Sequence, residues 1–215
     1  MATVRASADR VPVAVLARAP VVGRAKTRLS PLLGPAGAAR AHRQLLLRTL
    51  QTVQASGLPL QLWCEPSASH RFFRALQRVF ACVGHDQPPG DLGQRMHAAF
   101  AAHAGQSDAP LLLIGTDCPA LEPQHLQEAA QRLLQADEAV FTPAEDGGYV
   151  LVGLRRPQPA LFETIDWGTD RVMAQTRARL GQLGLRYSEM PKLWDVDEPA
   201  DWQRWRAFEL ARHTR

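Results

Sequence analysis

The stretch Leu111-Leu112-Leu113-Ile114-Gly115-Thr116-Asp117-Cys118-Pro119-Ala120-Leu121 decides the fold. Four consecutive apolar residues read as a strand buried on both faces, which is the habit of a parallel sheet. A loop follows, and Pro123 is well placed to open a helix running to about Gln135. The same grammar extends outward in both directions. Strands are predicted at Val11–Ala17, Leu60–Cys64, Ala81–Val83, Ala139–Thr142, Tyr149–Leu154 and Arg186–Met190. Helices are predicted at Ala36–Ala55, Ser69–Val79, Leu92–His103, Asp170–Leu183 and Pro199–Ala211, with Thr169 capping the fourth. Alternating strands and helices imply an α/β fold, a mostly parallel central sheet covered by helices on both faces. One domain is expected over residues 11–212, after a flexible polar leader over residues 1–10.

Composition narrows the function classes. With 215 residues and 46% hydrophobic residues the chain can bury a core without disulfides or a structural metal. Cys64, Cys82 and Cys118 are odd in number and lack CxxC spacing, which argues against a disulfide framework and a zinc ribbon. No apolar run approaches a membrane span, and the first ten residues lack the apolar middle of a signal peptide; a cytoplasmic protein is expected. The net charge of +4 suits an anionic small substrate. No basic tract is interleaved with aromatics, so nucleic acid is not expected as a partner.

In parallel sheets ligands bind beyond the carboxyl ends of strands. The loop after the first strand holds Arg18, Arg24, Lys26 and Arg28, cations that suit phosphates, with Gly23 allowing close backbone approach. A solvated basic loop would look the same. Asp117, just past the central strand, can bind a divalent cation or serve as a turn residue. Glu145-Asp146-Gly147-Gly148 can bring carboxylates and bare backbone to a ligand, or simply turn a hairpin. Asp195 and Asp197 alternate, so both face one side of an extended segment; they could complete a metal site or cap the last helix. The histidines, His42 included, fall at no ligand spacing and receive no role.

Six segments in order, ARAPVVGRAKTRL, QPPGDLGQRM, IGTDCPAL, PAEDGGYVLVG, WGT and DVDEPADW, resemble the DUF2064 family of the glycosyltransferase-A (nucleotide-diphospho-sugar transferase) fold. AKTRLSPLLG is also similar to phospholactate guanylyltransferase. The resemblance implies a nucleotide site at Ala17, Arg18, Gly23, Lys26 and Arg28. It implies Mg²⁺ or Mn²⁺ on Asp117 with Asp195 or Asp197, and an acceptor wall of Gly147, Gly148, Tyr149, Trp167 and Thr169. Lys26, Asp117 and Asp146 are the expected catalytic residues. Nucleotidyl transfer from a nucleoside triphosphate to a phosphorylated small molecule is the first expectation. Glycosyl transfer from a nucleotide-sugar, with Asp146 as base, is the alternative. A non-catalytic nucleotide-binding protein is the second alternative. The expected partners are a nucleotide or nucleotide-sugar and a small-molecule acceptor, with a homodimer left open.

Overall fold

A computed structural model describes residues 11–213. The expected leader over residues 1–10 lies outside the described residues. Seven strands form one sheet: β1 (Val13–Arg18), β2 (Leu60–Glu65), β3 (Val83–Asp86), β4 (Leu111–Ile114), β5 (Ala139–Pro143), β6 (Tyr149–Leu154) and β7 (Tyr187–Glu189). Their order is β3-β2-β1-β4-β6-β5-β7. The all-apolar β4 stands at the centre, parallel to β1 and antiparallel to β6. The pairs β1–β2, β2–β3 and β5–β7 are also parallel, so β6 alone runs against its neighbours.

Six helices cover the sheet: α1 (Ser30–Ser56), α2 (Arg71–Val79), α3 (Leu92–Ala104), α4 (Pro123–Gln135), α5 (Val172–Leu183) and α6 (Pro199–His213). On one face α1, α2 and α4 bury Leu46, Leu50, Val53, Phe73, Leu76, Leu126 and Leu133 against Val13, Val15 and Leu112. On the other, α3 and α5 bury Met96, Phe100, Met173 and Leu180 against Leu113, Phe141 and Val152. A third cluster joins Leu29, Leu45, Trp194, Val196 and Trp205 and so fastens the 194–197 segment and α6 to the start of α1.

The structure moves several boundaries. The helix expected from Ala36 begins at Ser30 and breaks at Gly34 (φ 68°, ψ 163°) before Pro35 restarts it. β3 lies later than Ala81–Val83, because Ala81 takes a left-handed turn (φ 49°) and the pairing with β2 starts at Val83. The last strand is shorter than Arg186–Met190. α5 begins at Val172 rather than Asp170, and Thr169 does not cap it; its hydroxyl accepts from Arg171 N and donates to Asp166 O. At the start of α3 Leu92 sits at the cleft mouth, 46% exposed, while Met96 and Phe100 of the same helix are buried. No described helix is long and apolar enough to cross a membrane.

Candidate functional site

A cleft of about 760 Å³ opens where β1 and β4 end and β6 begins. That volume falls within the range of small-molecule sites. Ala17, Arg18, Lys26, Arg28, Asp117, Asp146, Gly148, Tyr149, Trp167, Thr169, Asp195 and Asp197 all line it. Gly23 and Gly147 do not. Gly23 (φ 77°) serves the turn in which Arg24 N and Ala25 N donate to Val21 O. Gly147 (φ 91°) is pressed against the backbone just before α5, where a Cβ would lie 2.2 Å from Asp170 O, and its carbonyl accepts from Met173 N of α5 at 2.8 Å. These two glycines shape the loops rather than the cleft surface.

The first loop folds back so that Lys26 reaches under the cleft floor. Its Nζ donates to Val196 O at 2.5 Å and Asp197 Oδ1 at 2.8 Å, and stands 3.0 Å from Asp117 Oδ2. The Lys26 side chain is only 6% exposed, while those of Asp117 and Asp197 are 40% and 46% exposed. Asp117 is delivered by the end of β4. The late segment is registered on it by one backbone bond, Val196 N to Asp117 O at 2.8 Å. Trp194 and Val196 turn into the third core cluster, which leaves Asp195 and Asp197 on the cleft side. Neither is the cap of α6. Asp201 accepts from Asp197 N and Glu198 N and frees both carboxylates from that duty.

The charges settle accordingly. Burial alone would lower the Lys26 ammonium, but the charges of Asp117 and Asp197 outweigh it and hold its pKa above the ordinary value. Burial would raise the Asp117 carboxyl; Lys26 holds it below the usual range. Among the described residues no cation forms an ion pair with Asp195, and Lys26 lowers its carboxyl only weakly. Burial, and then the charges of Asp146 and Asp197, push it up to about 6. Cys118 is buried and its thiol pushed up to about 12 by that burial, so it is packing.

The third loop is a hairpin turn and also part of the cleft. β5 and β6 pair antiparallel, and Ala144 N donates to Gly148 O across their end. Asp146 Oδ1 accepts from Gly148 N at 2.9 Å. Glu145 points elsewhere, gripped by both terminal nitrogens of Arg204 on α6 at 2.7 and 3.1 Å. Tyr149 meets Trp167 edge-on at 6.3 Å. Trp167 also rests on Gly93, where a Cβ would come within 2.7 Å of Nε1.

The sequence reading missed one end of the cleft. Glu65, at the end of β2, accepts at Oε2 from Arg18 Nε and Arg95 Nη1, both at 2.9 Å. Gln87 uses Nε2 on Ala17 O and Trp63 O. The strand-end rule pointed at β2 as much as at β1, but Glu65-Pro66 forms no recognisable motif. His42 was also passed over. It is buried beside the cleft, donates from Nε2 to Arg18 O at 2.8 Å, and burial lowers its pKa, keeping it neutral.

Divalent metal is implied by the family resemblance. Among the described residues no three His, Cys, Asp or Glu side chains are placed to hold a metal ion. The pair Asp117 and Asp197, with Val196 O, does converge on a cation, the Lys26 ammonium. Mg²⁺ takes one or two carboxylates and leaves other positions to water and phosphate. These oxygen donors are of the kind such an ion takes, and it is Asp197, not Asp195, that shares the ammonium with Asp117.

Comparison with solved structures supports the fold. A Desulfovibrio desulfuricans G20 protein described as a nucleotide-diphospho-sugar transferase is 26% identical, with TM-score 0.79 over 87% of this chain and 82% of that one. A 4-diphosphocytidyl-2C-methyl-D-erythritol synthase from Anaerococcus prevotii is 11% identical, with TM-score 0.62 over 95% and 99%. The glucosyl-3-phosphoglycerate synthase of Mycobacterium tuberculosis, solved with Mn²⁺ and uridine diphosphate, is 11% identical, with TM-score 0.52 over 94% and 78%. The last two share the fold alone. No curated protein matches the chain in sequence. The family model described as an uncharacterized protein conserved in bacteria, DUF2064, matches residues 48–169, more than half of the chain, and the chain belongs to that family.

Proposed function

We propose that residues 11–212 act as one metal-dependent, nucleotide-using transferase domain that moves a nucleotidyl group from a nucleoside triphosphate to a phosphorylated small molecule. The observation that carries this reading is the convergence of Lys26, Asp117 and Asp197 at the carboxyl edge of the sheet, with Arg24 and Arg28 beside them in the cleft. A triphosphate is the most anionic part of such a substrate, and Arg24, Lys26 and Arg28 of the first loop gather here, while Arg18 faces Glu65 at the other end. Lys26, Arg24 and Arg28 bind the phosphates. Mg²⁺ or Mn²⁺ on Asp117 and Asp197 would neutralise charge on the departing diphosphate. Tyr149, Trp167, Gly148 and Thr169 form the wall against which the acceptor is placed. An acceptor phosphate oxygen bonds to the α-phosphorus, the bond to the β-phosphate bridge breaks, and pyrophosphate leaves. Positioning and charge neutralisation supply the rate.

A second reading is glycosyl transfer from a nucleotide-sugar. Asp146 favours it, because this carboxylate lines the cleft with only Oδ1 engaged by Gly148 N. Asp146 would then take the acceptor proton while a nucleoside diphosphate leaves. Incubation with each nucleoside triphosphate and nucleotide-sugar, candidate acceptors and Mg²⁺ or Mn²⁺, followed by ³¹P NMR, separates the readings. Pyrophosphate supports the first, nucleoside diphosphate the second. Binding without either product would leave a non-catalytic nucleotide-binding protein.

A further inference from the structure

The chain has 23 arginines and only two lysines, Lys26 and Lys192. One of the two is sealed at the heart of the cleft, where arginine would not serve. Three oxygens converge on a single nitrogen at 2.5, 2.8 and 3.0 Å, a cage for a compact ammonium and not for a planar guanidinium. The backbone at Lys26 is left-handed (φ 49°, ψ 47°), which a side chain with a Cβ adopts at a cost. That cost is met where the loop must turn the ammonium inward.

The geometry of the cage is asymmetric. The nitrogen is below the cleft surface, yet both carboxylates are 40% or more exposed on the cleft side. A divalent ion approaching the pair meets the right oxygens and finds their shared point taken. We propose that Lys26 is a tethered counter-ion that competes with the divalent metal for Asp117 and Asp197 and passes to the nucleotide phosphates when the metal enters. This rests on the metal-nucleotide reading above and adds the order of events to it.

The physics is mutual exclusion. Two cations cannot share one point between two carboxylates, because their repulsion at such distances is large in a partly desolvated site. Without the lysine the empty carboxylates would repel each other. With it, metal alone must eject an ammonium that gains no new partner, so metal alone binds weakly. A nucleotide changes this, because its phosphates accept the ammonium and the flexible four-carbon stem lets it move. Metal and nucleotide therefore strengthen each other's binding, and by linkage they do so equally.

The scarcity of lysine makes the test direct. Wild-type protein is labelled with an amine-reactive acylating reagent and the Lys26 and Lys192 peptides are quantified by mass spectrometry, exposed Lys192 being the internal reference. Lys26 should label slowly in the protein alone, faster with saturating Mn²⁺, and slowly again with Mn²⁺ plus a non-hydrolysable nucleoside triphosphate. Mn²⁺ that binds while Lys26 labelling stays level or falls overturns the exchange and leaves the metal reading standing. In parallel, Lys26→Met should bind Mn²⁺ alone at least roughly tenfold tighter than wild type, since the competing charge is gone. Equal or weaker binding by the variant also overturns it. No Mn²⁺ binding to either protein, with or without nucleotide, overturns the metal reading and the exchange together.

Discussion

At one end of the cleft a single ammonium, Lys26, stands between two carboxylates, Asp117 and Asp197. At the other a single carboxylate, Glu65, stands between two guanidiniums, Arg18 and Arg95. The two triads invert each other in charge and differ in depth. Lys26 is 6% exposed in its side chain and Glu65 is 33% exposed. A sealed central ion works in a low dielectric, where each interaction counts for much; an open one is screened, and surface pairs contribute little. At the sealed end Arg28 Nη1 also reaches Asp197 Oδ2 at 3.3 Å, so the two carboxylates already face two cations and a metal ion can enter only by displacing the ammonium. Excess guanidinium at the open end leaves donors for an electron-rich or anionic group. A metal-bound nucleotide lying along the cleft would engage both ends.

The largest expected effect falls on the sealed end. Lys26→Met should lower turnover by about 10²–10³, the usual loss when one preorganised charge is removed from a reacting centre. Steady-state kinetics on folded variant would check it, and an undiminished rate would erase the difference between the two ends. Next is the turn that carries Asp146. Gly147→Ala should cost roughly 2–4 kcal/mol of stability, because its Cβ meets the Asp170 backbone at a left-handed φ. Gly148→Ala, whose Cβ would stand 3.2 Å from Asp146 Oδ1, should cost less. Chemical denaturation of both would show whether the Asp146 turn is fastened to α5.

The smallest effect belongs to the open end. Glu65→Gln should cost no more than about 1 kcal/mol at pH 7. Burial would raise this carboxyl, and Arg18 and Arg95 hold it below the ordinary value. A depressed carboxylate adds stability above its unfolded pKa and loses it as pH falls through the folded one. The variant and wild type should therefore converge in stability on acidification below the ordinary glutamate range. A gap that persisted in acid would mean that Glu65 acts by packing. Mn²⁺ affinity should not change in this variant, which keeps the two ends separable.

Much of this was legible in the sequence because it is local. The apolar run of β4, Pro123 at a helix start and the valine-rich β1 each announce themselves within a few residues. The alternation Trp194, Asp195, Val196, Asp197 predicted correctly that both aspartates face one way, and the structure supplies the reason: Trp194 and Val196 are core. The acid loop could be read as a hairpin or as a site, and it is both a hairpin and a cleft wall. What the sequence withheld is non-local. Nothing near Glu145 says that Arg204 will turn it away from the cleft. Nothing near Glu65 says that Arg18 and Arg95 will meet it. The antiparallel entry of β6 depends on a turn closed against α5. The position of Lys26 depends on an oxygen cage whose parts lie about 90 and 170 residues downstream.

Calorimetric titration of a non-hydrolysable nucleoside triphosphate into wild type and Asp117→Asn, with and without Mg²⁺, tests the central claim most directly. In wild type Mg²⁺ should tighten nucleotide binding. In the variant that enhancement should vanish while the melting temperature stays close to wild type, because Lys26 keeps Asp197 and Val196 O as partners. A variant that binds nucleotide with the full Mg²⁺ enhancement would contradict the assignment of the metal and phosphate site to this end of the cleft.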